Sequence, residues 1–163
     1  MPNTTTLLSD ERIQYEGVFS IAELYKHAYN WLTWRKFDVR EGKYMEKAKA
    51  TGKEIKIEWT AQKFLDEYSS FEIKIRWEFL NIRDAEKPPK MQQGEVNIFV
   101  TASIITDRQD FWAANAFYSF MRTFYDRYLY RSSYDRLKAE LWKTGWDFFN
   151  EMKSFLNLYR FGN

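Results

Sequence analysis

Three runs in the middle of this 163-residue chain change character at every second residue, and that period does most to limit its fold. Ile55, Ile57, Trp59 and Ala61 alternate with Lys56, Glu58, Thr60 and Gln62. Phe71, Ile73, Ile75, Trp77 and Phe79 alternate with Glu72, Lys74, Arg76 and Glu78. Val96, Ile98, Val100, Ala102 and Ile104 alternate with Asn97, Phe99, Thr101 and Ser103. Successive side chains of a strand point to opposite faces, so these runs predict strands with one apolar and one polar face. A sheet buried on both sides would not carry charge at alternate positions, so helices are expected on one face and water on the other. Tyr44 to Ala50 is a weaker fourth run, and Ile13 to Val18 gives a plausible first strand. Thr51-Gly52, Asp66 to Ser70, and Asp84 to Gly94 with Pro88-Pro89 supply the breaks. The short connections between runs predict an antiparallel meander.

On either side of the meander the period becomes helical. Ser20 and Glu23 form a Ser-x-x-Glu capping box, with Phe19 and Leu24 placed as its hydrophobic staple. Leu24, Ala28, Trp31 and Leu32 follow at helical spacing, which predicts a helix from about Ile21 to Trp34. From Asp110 to Phe161 the pattern is helical again, with Trp112, Phe117, Phe120, Met121 and Phe124 crowding its first half. One straight helix of that length would span about 78 Å, against a radius of gyration of about 15 Å for a compact domain of this size. Either the helix breaks, at Arg131 to Ser133 or at Thr144-Gly145, or it protrudes and meets a partner; a break is the favoured expectation. The fold class predicted is α+β in two layers: a four- to five-stranded antiparallel meander covered on one face by an N-terminal helix and a long C-terminal helical segment. The chain reads as a single domain, with residues 1–10 a flexible tail and 132–163 possible separate helices.

Composition narrows function mainly by exclusion. Cysteine is absent, so disulfides, thiolate metal sites and thiol nucleophiles are ruled out. Lysine and arginine number 25 against 23 acidic residues, a balance that disfavours nucleic-acid binding despite the Tyr/Arg interleaving from Tyr125 to Arg136. No apolar run is long enough to span a bilayer, the first ten residues lack a signal-peptide layout, and the C-terminal helical face is not basic enough for a membrane surface. A cytoplasmic protein is expected. His27 is the single histidine and has no evident catalytic partner, and Glu54/Glu58 and Glu72/Glu78 sit among lysines and arginine on the charged sheet face. No catalytic residue, metal site or cofactor is predicted, and the chain reads as a non-enzyme.

What remains is a surplus of rings: Phe, Tyr and Trp make up 20% of the chain. The first reading is an interaction or assembly module, a homo-oligomer or a protein-partner binder, because Trp142, Trp146, Phe149 and Leu156 would lie beyond a sheet about 20 Å long. The alternative is a cavity for an apolar or aromatic small ligand between the sheet and the C-terminal helix. It would be lined by Trp31, Tyr44, Trp59, Trp77, Phe79, Phe117, Phe120 and Phe124.

The element order also resembles the helix-grip plan of START and Bet v 1-like domains. The residues that carry the resemblance are Ile13 to Phe19, Ser20 to Trp34, the three alternating runs, and Trp112 to Tyr130. It covers most of the chain but rests on order alone, with fewer strands and a longer C-terminal helical region than such domains have. It implies an apolar ligand held between a curved sheet and the last helix.

Overall fold

The strands are long, and several change which residues face inward partway along. A computed structural model describes residues 3–65, 69–85, 91–106 and 131–161. In chain order the elements are β1 (Asn3–Phe19), α1 (Ile21–Trp34), β2 (Asp38–Lys49), β3 (Gly52–Phe64), β4 (Ser69–Ala85), β5 (Met91–Thr106) and α2 (Arg131–Phe161). The strands form one five-stranded antiparallel sheet in the order β1-β5-β4-β3-β2. Strands β2 to β5 make the meander, and β1 joins it at the β5 edge. The α+β class, the antiparallel sheet and the two flanking helices are as the alternation and the capping box predict.

The inner face carries Ile57, Trp59, Ala61, Phe71, Ile73, Ile75, Trp77, Phe79, Val96, Ile98, Val100, Ala102 and Ile104, all buried. Helix α1 adds Leu24, Ala28, Trp31 and Leu32. Ser20 Oγ accepts the Glu23 N–H at 3.2 Å, which is the serine half of the capping box. The Glu23 carboxylate accepts the Tyr159 hydroxyl at 2.8 Å, tying the first turn of α1 to the end of α2. At its other end α1 closes with Lys36 in the left-handed region (φ 70). The Lys36 N–H donates to the Thr33 carbonyl and the Phe37 N–H to that of Leu32. This is a Schellman-type stop built without glycine.

The opposite sheet face is charged, as expected, and three of its carboxylates are paired. Glu54 meets Lys49 at 2.8 Å and Lys56 at 3.6 Å. Glu72 meets Lys74 at 3.6 Å, and Glu78 meets Arg76 at 3.7 Å. The Lys49 hydrogen bond holds the Glu54 carboxyl below its ordinary range. The Arg76 guanidinium also lies 4.2 Å from the centre of the Phe99 ring, which gives that outward phenylalanine a partner.

Several expectations are corrected. Residues Asn3 to Asp10 belong to β1 and pair with β5, where the sequence reads a flexible tail. Two register shifts, between Thr6 and Leu8 and between Leu8 and Glu11, interrupt the alternation there and conceal the strand. The weak run at Tyr44 is part of a strand beginning at Asp38. The break between β4 and β5 is narrower than Asp84 to Gly94, since β4 continues to Ala85 and β5 starts at Met91. Helix α2 is unbroken through Thr144-Gly145. Gly145 is where the helix crosses β1 and β5: a Cβ there would collide with Leu8 Cδ1 and come within 3.2 Å of the Ala102 Cβ. The residues between 106 and 131, and Pro88-Pro89, lie outside the described residues.

The sheet is also much longer than the 20 Å expected. Strands of 13 to 17 residues, as in β1, β3, β4 and β5, reach about 43–56 Å. A helix of 31 residues is about 46 Å long. The C-terminal helix packs on β1 and β5, and its far end also meets α1. Leu141, Phe148, Met152 and Leu156 are buried along one stripe of α2.

Candidate functional site

A groove of about 690 Å³ opens between the first turns of α1 and the end of the sheet formed by β2, β3 and β4. Its apolar surface comes from Ile21, Ala22, Ile55, Ile57 and Ile82, its aromatic walls from Tyr25 and Tyr44, and its rim from Glu41, Glu46, Lys53, Arg83, Asp84 and Gln92. That size and that mixture of apolar lining with a few polar groups are usual for small-molecule sites.

Two irregularities in the strands build this groove. In β2 the register shifts between Glu41 and Lys43, leaving Gly42 as the extra residue. Glu41 then lies opposite Trp59, Tyr44 opposite Ile57 and Glu46 opposite Ile55. Directly opposed residues share a face, so all three β2 side chains stand on the inner face. In a regular strand Glu41 and Tyr44 would point to opposite faces. In β4 the register shifts between Leu80 and Arg83, with Asn81 in the left-handed region (φ 55). The shift brings Ile82 onto the same inner face as Phe79, and Ile82 is buried. Gly52 on β3 accommodates the bulge: with φ 140, a Cβ there would lie 2.7 Å from the Asn81 carbonyl carbon. Thr51 Oγ1 donates to Asn81 Oδ1 at 2.8 Å and fixes the bulge from the hairpin side.

Behind the groove runs a connected series of rings. Tyr25 meets Trp59 edge-on with centroids 4.4 Å apart, and Trp59 meets Trp77 at 5.1 Å. Trp77 stacks near Phe79 at 6.1 Å, and Phe79 near Phe19 at 6.3 Å. The Tyr25 hydroxyl accepts the Trp59 Nε1–H at 2.8 Å, with the Glu41 carboxylate nearby. Burial first, and then the neighbouring Glu41 charge, push the Tyr25 hydroxyl above the ordinary tyrosine range. A hydrogen bond to Glu46, at 2.9 Å, does the same to Tyr44. Trp77 Nε1 is buried without a hydrogen-bond partner among the described residues.

The residues named from the sequence separate into groups. Trp59, Trp77 and Phe79 come together on the inner face, and Tyr44 lines the groove while 57% exposed. Trp31 stands apart, edge-on to Phe148 at 5.3 Å with the Arg35 guanidinium 3.7 Å above its ring. Phe117, Phe120 and Phe124 lie outside the described residues. Of the four rings and side chains expected at an interface, Leu156 is 1% exposed and belongs to the core, a correction that follows from the long sheet beneath α2. Trp146 and Phe149 pack partly buried against that core, and Trp142 is 54% exposed. Tyr25, Glu41 and Ile82 were not singled out in the sequence. Gly42, two residues before the run at Tyr44, was the available signal, since a glycine within a strand often marks a bulge.

His27 has a structural setting. Its Nε2 lies 3.0 Å from Glu151 Oε1, and its ring stacks on Phe155 at 4.5 Å, joining α1 to α2. Among the described residues no three or more of His, Asp and Glu converge as metal ligands, and no helix is long and apolar enough to cross a membrane. Comparison of the chain with protein-family models, curated proteins and solved structures gives no match.

Proposed function

We propose that the protein is a non-enzymatic binder of a small apolar or aromatic ligand, held in the groove between α1 and the β2–β3–β4 end of the sheet. The observation that carries this reading is the groove itself. An open strand end is lined with isoleucines and tyrosines where a regular β2 and β4 would have presented other side chains. Binding there would bury Ile55 and Tyr44, and about 25 cal/mol per Å² of apolar area supplies the driving force. The test is titration with a neutral solvatochromic dye, Nile red. Saturable emission that weakens at least fivefold in Tyr44→Ala and Ile55→Ser, with unchanged far-UV circular dichroism, supports the reading. Saturable emission indifferent to both substitutions sinks it.

The assembly reading has one supporting observation, the half-exposed Trp142 on α2. It predicts a self-associated species in native mass spectrometry that Trp142→Ala disperses. A monomer in the unsubstituted chain would end it. A reducing, cytoplasmic setting suits a chain without cysteine under either reading.

A further inference from the structure

The charges around the groove are not evenly distributed, and their placement bears on what the groove would accept. At the hairpin end Lys53 lies 3.5 Å from Glu46, so the two largely offset each other. Arg83 and Asp84, neighbours on β4, are both exposed on the rim at that end. At the other end, opposite Trp59, stands Glu41. Its carboxylate is exposed and has no cationic partner among the described residues, and its charge acts on the Tyr25 hydroxyl. The Tyr25 and Tyr44 rings line the groove together with it.

We infer that the groove takes a cationic amphiphile, an amine or quaternary ammonium on an apolar body, with the cation between Tyr25, Tyr44 and Glu41 and the body along Ile55, Ile57 and Ile82. The inference rests on the groove reading above and adds the chemistry of the occupant. An aromatic face attracts a cation through its quadrupole, and a neighbouring carboxylate adds Coulomb attraction without requiring a hydrogen-bond donor on the ligand. Both rings also sit near carboxylates: burial first and then the Glu41 charge raise the Tyr25 hydroxyl, and the Glu46 hydrogen bond raises that of Tyr44. An anionic head at this end would meet Glu41 with no cation beside it. The Gly42 bulge makes the arrangement possible, because only the shifted register sets Glu41 and Tyr44 on one face.

The experiment is an NMR titration of the full chain with three ligands of equal tail length, octyltrimethylammonium, 1-octanol and octanoate, each kept below micelle formation. The expected result is affinity for the ammonium at least tenfold above octanol, with octanoate weakest, and a preference that shrinks to within about twofold in Glu41→Gln. Tyr44→Leu keeps apolar area but removes a ring, and should lower the ammonium affinity more than that of octanol. If octanol and octanoate bind as tightly as the ammonium, or Glu41→Gln leaves the preference intact, the inference is overturned while the groove reading stands. If none of the three shifts Ile55 or Ile57, both fail.

Discussion

The two ends of the sheet order are built differently. On the β1–β5 side, α2 lies across the strands, Gly145 lets it approach closely, and Phe148, Met152 and Leu141 are fully buried. On the β2–β3 side no long helix among the described residues lies over the edge. Strand β2 is exposed along almost its entire length, with only Val39 partly covered. The first region is close-packed and the second is a trough. One sheet can serve both purposes because its bulges, at Gly42 and Asn81, bring side chains to the inner face that a regular strand would turn away. The bulges in β1 serve the closed side by bringing Leu8 to the place where Gly145 crosses. Irregular register therefore builds a packed helix crossing at one edge and an open groove near the other.

If that contrast is right, substitutions on the closed side should cost stability, and those in the groove should alter binding alone. The largest effect is expected for Phe148→Ala, which removes a fully buried ring packed on Trp31 and should cost about 3–5 kcal/mol in denaturant unfolding. Gly145→Val follows, at about 1–3 kcal/mol, from forcing a branched side chain against Leu8 and Ala102. Gly145→Ala should cost less, since its small clash is partly offset by about 1 kcal/mol of helix propensity.

Tyr159→Phe is next, at about 1 kcal/mol for the lost hydrogen bond to Glu23. It carries a pH signature. Burial, followed by the Glu23 hydrogen bond, raises the Tyr159 hydroxyl well above its ordinary value of 10.0. A raised folded-state value means the contribution is fully present below about pH 10. It falls as the unfolded chain ionises first, and is lost as pH rises through the folded value. Stability measured from pH 9 to 11 should therefore decline less steeply in Tyr159→Phe than in the parent chain. An unchanged slope would mean that Tyr159 is not the group responsible.

Lys36→Gly should gain about 0.5–1 kcal/mol by relieving a non-glycine residue in the left-handed region at the end of α1. Tyr44→Ala should change stability by less than about 0.5 kcal/mol, because the ring stands over an open trough. A loss near 2 kcal/mol there would break the contrast by showing that the trough is part of the core.

How far the sequence could be read follows the same division. The inner-face residues of β3, most of β4 and β5 were legible because strict alternation survives wherever register is regular. Helix α1 was legible because Ser20, Phe19 and Leu24 state its start chemically. The first strand was missed where Thr6, Leu8 and Glu11 break parity, and Gly145 reads as a stop although tertiary contact, with Leu8, explains it. Most of the groove was missed for the same reason. Glu41, Tyr44 and Ile82 share a face only through bulges, and a period-two reading assigns Glu41 and Tyr44 to opposite sides. Tyr44 was singled out, but without the neighbours that give it a site.

The most direct test of this account is a methyl NMR titration of isoleucine-labelled protein with Nile red. Isoleucines line the groove at 21 on α1 and at 55, 57 and 82 on the sheet, and are also buried on the inner face at 73, 98 and 104. The account predicts saturable shifts at Ile55, Ile57 and Ile82 with Ile98 and Ile104 unmoved. Shifts concentrated at Ile98 and Ile104, or absent from Ile55, Ile57 and Ile82 together, would contradict it.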